Sequence, residues 1–196
     1  MFPIFLKLEG KRCLVVGAGK VAEGKIRGLL EAGAWVEVVA PQAVWQIQKW
    51  AWEGAVGWKP RRFEPSDLDQ VSMVVAATSS PEVNAEVFKQ ARLRTVLCNA
   101  VDDPQNCDFY YPAVVNRGDL QIAISTSGRS PALAQRLRRE LEVQFGPDYE
   151  AWVAELGRAR DLLNTHHLDT EARRKLLHEM ASSQAFNSRT SERGEN

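Results

Sequence analysis

The sequence has no surplus of either charge: 25 Lys+Arg are balanced by 25 Asp+Glu. That balance removes a global pull towards nucleic acid or an anionic membrane, so neither is predicted as a partner. No apolar run approaches the roughly 20 residues that a membrane-spanning helix needs. The opening "MFPIFLKLEGKR" is too short in its apolar part for a signal peptide, and Lys7 and Glu9 interrupt it. Cysteine is scarce. Cys13, Cys98 and Cys107 are odd in number and widely spaced, which predicts reduced thiols in the cytoplasm rather than a disulfide framework. Neither they nor His166, His167 and His178 show metal-ligand spacing, so no metal site is predicted and the histidines read as surface residues. With 44% apolar and 26% charged residues over 196 positions, the chain can bury a core and carry a second, small helical unit.

What is present is a strict alternation of strand and helix patterns. "RCLVVG" (12–17) is an apolar run of strand length ending in glycine. "KVAEGKIRGLLEAGA" (20–34) places Val21, Ala22, Ile26, Leu29 and Leu30 at helical spacing, with Gly33 as its stop. "WVEVVA" (35–40) is a second strand closed by Pro41, which completes a βαβ unit and predicts a parallel sheet covered on both faces. A helix over 42–53 and a weak strand within 55–63 follow; Pro60 argues that this strand is short or at an edge. "VSMVVAAT" (71–78), a helix over 80–93 capped by Ser80 with Pro81 at its first position, and "TVLCNAV" (95–101) continue the pattern.

The alternation then stops. Residues 109–126 read as two strands joined at Asn116-Arg117-Gly118-Asp119, and a helix over 130–145 begins at Ser130-Pro131. Helical stretches near 147–164 and 168–181 come next. The predicted fold class is α/β: a Rossmann-like parallel-sheet domain (1–112), a hairpin-and-helix region for dimerisation and substrate (113–146), a C-terminal helical region (147–181) and a disordered tail (182–196). A hairpin apolar on both strands needs a partner surface, supplied by its own domain or by a second subunit, and a homodimer is preferred.

"VVGAGKVA" sets Gly17, Gly19 and Ala22 in the pattern G-x-G-x-x-A between a strand and a helix. The first glycine permits the tight turn, the second admits a pyrophosphate, and the small third residue lets helix and strand pack. The helix N-terminus adds N–H donors and partial positive charge. One element is lacking. Such folds usually end the second strand on an acid that holds the adenosine ribose. Here that end is "VVAPQ" (38–42), and Glu37 inside the strand is expected to face away. Pro41, Gln42 or nearby backbone must hold the ribose, so NAD and NADP both stay open; Lys20 favours an extra phosphate or is simply solvated. Thr78 and Ser79 in "AATSS" (76–80) lie where an open parallel sheet binds ligands, near the nicotinamide side.

Three segments together carry a resemblance: "FPIFLKLEGKRCLVVGAGKVAEGKIRGLLEAGA", "VAATSSPEVN" and "NAVDDPQNCDFYYPAVVNRGDLQIAISTSGRSPALAQRLRRELE". Over residues 1–163 the chain resembles the precorrin-2 dehydrogenase/sirohydrochlorin ferrochelatase family, the N-terminal module of sirohaem synthases. The resemblance implies NAD-dependent oxidation of precorrin-2 to sirohydrochlorin, with ferrous iron inserted in some members to give sirohaem. It implies an intertwined homodimer. It places the general acid/base on Asp102 and dinucleotide contacts on Lys20, Val21, Pro41 and Gln42. A serine modified in some members matches Thr126 here. The methyltransferase domain of the fused enzymes is not expected in this chain.

The oxidation removes a hydride and a proton, and the proton needs a base. A carboxylate at a strand's carboxyl end, half covered by a bound macrocycle, is suited to that task. Asp103 either assists or caps the loop, with the loop role preferred; Cys107 and Asp108 default to a packed thiol and a loop cap. The substrate's many carboxylates call for cations and N–H donors, and Ser127, Arg129, Ser130 and Arg136 are the candidates. Arg138 and Arg139 fit better as a solvated face beside Glu140 and Glu142. The competing readings are a dehydrogenase without chelation, a nucleotide-sensing domain without turnover, and a cobalt chelatase.

Overall fold

The computed structural model describes residues 1–165 and 169–187. His166, His167 and the sequence from 188 lie outside the described residues. The chain divides into two compact units, Met1–Tyr110 and Tyr111–Asn196.

The first unit is a five-stranded parallel sheet in the order β3-β2-β1-β4-β5. Its strands are β1 (Arg12–Val16), β2 (Trp35–Val39), β3 (Val56–Lys59), β4 (Met73–Ala76) and β5 (Leu97–Ala100). Helices α1 (Lys20–Glu31), α2 (Trp45–Trp52) and α3 (Pro81–Leu93) cross between them. β1 and β4 are central, and this is why they read as unbroken apolar runs: residues 13–16 and 73–76 are all buried. Two cores result. Ala22, Ile26, Leu29 and Ile47 close one face over Cys13, Val15, Val36 and Val38. Leu68, Val87 and Ala91 close the other over Leu14, Val16, Val74 and Cys98.

Pro60 follows β3 directly, and β3 is an edge strand, as that proline predicts. α2 starts at Trp45 rather than at 42. The intervening chain forms a turn in which the Val44 N–H donates to Ala18 O at 3.0 Å. Ser80 caps α3, accepting from the Val83 N–H at 3.3 Å.

In the second unit β6 (Ala113–Arg117) and β7 (Leu120–Ile124) form an antiparallel hairpin around a two-residue loop, Gly118-Asp119. Its helices are α4 (Pro131–Gln144), α5 (Asp148–Thr165) and α6 (Thr170–Met180). The hairpin packs on α4 and α5 of its own unit, with Val115 fully buried. Arg117 ties it to the end of α4, donating to Phe145 O at 2.9 Å and Glu142 O at 3.1 Å. The other face of the hairpin, carrying Val114, Asn116, Gln121 and Ala123, is exposed.

Of the tail expected to be disordered, 182–187 are described. Residues 183–187 form a helical turn. The Phe186 ring lies 4.3 Å from that of Tyr149 and 4.8 Å from that of Trp152, so aromatic burial offsets the entropy of ordering this polar stretch.

Candidate functional site

A cavity of about 700 Å³ opens at the carboxyl ends of the first unit's strands. Its wall is built from four segments: the glycine turn 16–19, the end of β2 at 39–42, the pair Arg62-Phe63, and the β4–α3 junction 77–80 with Val83 and Glu86. The glycines divide the labour that the motif predicts. Gly17 has φ +106°, and a Cβ there would sit 2.3 Å from Ala77 O. Only glycine lets the turn pass so close to β4. A Cβ at Gly19 would meet nothing within 4 Å, which leaves the backbone open to a bulky anionic ligand at the start of α1. Ala22 is fully buried against the sheet, the packing role expected of the third small residue.

Lys20 is exposed, and its ammonium pairs with the buried Glu23 at 3.0 Å. Arg27 reaches the same carboxylate at 3.3 Å. Val21 is half exposed, and neither Lys20 nor Val21 nor Ala22 lines the cavity.

At the end of β2, Pro41 and Gln42 are exposed on the cavity wall. Glu37 does turn away: its carboxylate bridges Arg12 and Lys59, each at 3.2 Å. The loop after β3 is pinned by Asp67. That buried carboxylate accepts from Arg61 at 2.6 and 2.8 Å, from Lys59 at 3.2 Å and from the Glu64 N–H at 3.0 Å. Burial pushes Asp67 up, but these donors outweigh it and hold the carboxyl below its ordinary range.

Thr78 and Ser79 both line the cavity. Thr78 is fixed by Asn84, whose amide oxygen accepts from Thr78 Oγ1 at 2.8 Å and from the Thr78 N–H at 3.1 Å. The buried Asn84 is a positioning residue that sequence reading missed, because a helix asparagine carries no signal for it.

Asp102 follows β5 in a tight turn. Its φ is +61°, a left-handed conformation that aspartate tolerates better than most residues. The Asp103 N–H closes that turn on Ala100 O at 3.2 Å, and Val101 still donates to Ala76 O on β4. Asp102 is exposed. Asp103 is committed elsewhere: its carboxylate accepts from Asn106 Nδ2 at 2.6 Å, and its carbonyl accepts from the Asn106 N–H and the Cys107 thiol. The two adjacent aspartates therefore differ, one held in the loop and one presented outward. Lys25 on α1 stands within electrostatic reach of Asp102; burial lowers its proton affinity and the Asp102 charge partly restores it.

Cys107 and Asp108 close the exposed edge of β5. Asp108 exchanges two bonds with Cys98: its N–H donates to Cys98 O at 2.8 Å, and its carboxylate accepts from the Cys98 N–H at 3.0 Å. The Cys107 thiol donates to Ala100 O at 3.1 Å. Burial pushes the Cys98 thiol up to about 12 and Cys13 up to about 11.

In the second unit, the loop 125–130 is tightly wound. Ser127 has φ +54° and Gly128 +77°. The Thr126 hydroxyl oxygen accepts from the Ser130 N–H at 3.1 Å, and Ser130 in turn caps α4 through Leu133. Arg129 is exposed at the tip of this loop. Arg136 pairs with Glu140 at 3.4 Å and Arg138 with Glu142, so Arg136 belongs to the solvated paired face, while Arg139 is exposed.

Residues 4–113 match the family model described as putative NAD(P)-binding, and residues 117–144 match that of the sirohaem biosynthesis protein central region. A solved structure titled SirC, precorrin-2 dehydrogenase, superposes with a TM-score of 0.81 at 31% identity, covering 94% of this chain and 91% of that one. The chain belongs to the family of this dehydrogenase. It is also 40% identical over 175 residues to siroheme synthase 2 of Yersinia enterocolitica, and 39% identical over 175 residues to the siroheme synthase of Chromobacterium violaceum. In both cases 89% of this chain is covered and 37% of the relative, so the chain spans well under half the length of the curated relatives it matches.

The residues present fit the dinucleotide that this dehydrogenase family implies. The cradle at Gly17, the open backbone at Gly19 and the α1 N-terminus would hold its pyrophosphate. Thr78, Ser79, Pro41 and Gln42 stand on the same cavity wall. Among the described residues no cluster of His, Cys, Asp and Glu could hold a metal ion, and no helix is long and apolar enough to cross a membrane.

Proposed function

We propose that the chain oxidises precorrin-2 to sirohydrochlorin, with NAD as oxidant and Asp102 as the base. NAD, when bound, supplies the hydride acceptor at its nicotinamide. The protein's share is to hold the dinucleotide at the glycine turn, to orient the macrocycle, and to take the proton on the Asp102 carboxylate. Hydride and proton together account for the two hydrogens lost. The observation that carries this reading is the contrast between the two aspartates after β5: Asp103 is bonded into the loop, and Asp102 is presented outward at the carboxyl end of the sheet.

Ser127, Arg129 and Ser130 are proposed to receive the substrate's carboxylates, Arg129 because it is exposed at the loop tip, and Arg136 contributes less because Glu140 holds it. The protein acts as a cytoplasmic homodimer in this reading, supported by three free cysteines and by the exposed hairpin face around Val114 and Ala123. Ferrous insertion into sirohydrochlorin is a second activity, favoured by the match to siroheme synthases. Iron is then substrate.

The test is Asp102→Asn. Precorrin-2-dependent NADH formation is expected to fall about a hundredfold or more, while NAD affinity holds. Full activity in that variant would remove Asp102 from the mechanism. Chelation is read separately, from sirohydrochlorin and Fe(II) without NAD; a rate at the uncatalysed background would exclude it.

A further inference from the structure

The adenosine end of the cofactor cleft holds a cation without a counter-charge. Arg62 lines the cavity beside the end of β2, and its guanidinium has no hydrogen-bond or ion-pair partner among the described residues. The acids at 64 and 67 in its own loop and the acid that lines the cavity have other partners. Asp67 is held by Arg61 and Lys59, and Glu64 pairs with Arg61 at 3.8 Å. Glu86, the acid that lines the cavity from α3, accepts from Gln90 at 2.8 Å. The backbone that presents Arg62 is fixed, because Arg61 donates at once to the buried Asp67 and, at 2.9 Å, to Arg62 O. Lys20, the cation that the sequence brings closest to the phosphates, is neutralised by Glu23 and stands off the cavity wall.

The end of β2 is the second half of the observation. An acid there would accept the ribose 2′-hydroxyl and repel a 2′-phosphate. Positions 40–42 are Ala, Pro and Gln, and Glu37 is turned to the other side, on Arg12 and Lys59. The end of β2 therefore carries no acid to repel an anion, and a planar guanidinium that matches phosphate stands on the wall.

We infer that Arg62 reads the ribose 2′-position and that the cleft accepts a 2′-phosphate, so that NADP is bound as well as NAD. This rests on the dehydrogenase reading and adds a specificity residue to it. No bond is made or broken by Arg62; its part is an ionic contact with the phosphate oxygens.

The experiment measures dissociation constants of NAD and NADP by titration calorimetry for the full chain, with adenosine 2′,5′-bisphosphate and AMP as probes of the adenosine end alone. The wild type is expected to bind both dinucleotides, and to prefer the bisphosphate over AMP at low salt, with the preference fading as salt rises. In Arg62→Gln the loss of NADP affinity should exceed the loss of NAD affinity by about tenfold, and Arg62→Lys should recover part of it. Gln42→Asp should weaken NADP selectively by placing a carboxylate where the 2′-phosphate lies. Equal losses for both dinucleotides in Arg62→Gln would overturn the inference, since they would mean adenine stacking rather than phosphate recognition. Binding of NAD with no measurable binding of NADP to the wild type would also overturn it. Failure of both dinucleotides to bind would instead count against the dehydrogenase reading itself.

Discussion

Asp67 shows what one buried carboxylate does for this fold. Three donors from the β3 side converge on it, and its pKa is held low. A depressed folded-state pKa means that the unfolded chain binds the proton more readily. Stability from Asp67 is therefore present above the unfolded value, near 4, and is lost as pH falls through the lower folded value. Asp67→Asn is expected to cost about 1–2 kcal/mol at neutral pH, the partly exposed Arg61 and Lys59 being able to resolvate. The gap between variant and wild type should narrow below about pH 4; urea melts at pH 7 and pH 3 check this. Asp108→Ala is the companion case. It strips the Cys98 N–H of its acceptor at the sheet edge and should cost about 1 kcal/mol, read as a fall in Tm.

At the scale of elements, the two glycines of the turn make opposite predictions from the same added methyl. Gly17→Ala drives a Cβ into Ala77 O from a φ of +106°, so it should destabilise the fold by about 2 kcal/mol or more. Gly19→Ala meets no protein atom, so it should fold normally and lose dinucleotide affinity instead. Thermal melts and NAD titrations on the pair separate the two effects. Much of this was legible beforehand. The central strands announce themselves as apolar runs because both their faces are covered, and Pro60 marks the edge. The G-x-G-x-x-A spacing locates the turn without any structure. What stayed hidden depends on contacts between distant positions. Asp108 caps Cys98 ten residues back, Asn84 holds Thr78, and Arg62 reaches the cavity from a loop with no motif. The ordering of Phe186 depends on rings more than thirty residues earlier, and polar composition gave no hint of it.

For the whole molecule, the division into two units sets the test. The first has its own two cores and the complete cavity. A fragment ending at Tyr110 is expected to fold and bind NAD while failing to oxidise precorrin-2; circular dichroism and calorimetry on that fragment check it. The thiols of this unit have one more consequence. At neutral pH the Cys13 and Cys98 sulfurs are almost wholly protonated and shielded, so an alkylating reagent reaches them only when the sheet opens. Cys13 lies in a central strand and Cys98 in the edge strand that Asp108 covers. Their relative labelling rates form a built-in clock, timing the fraying of one margin of the sheet against the breathing of its middle.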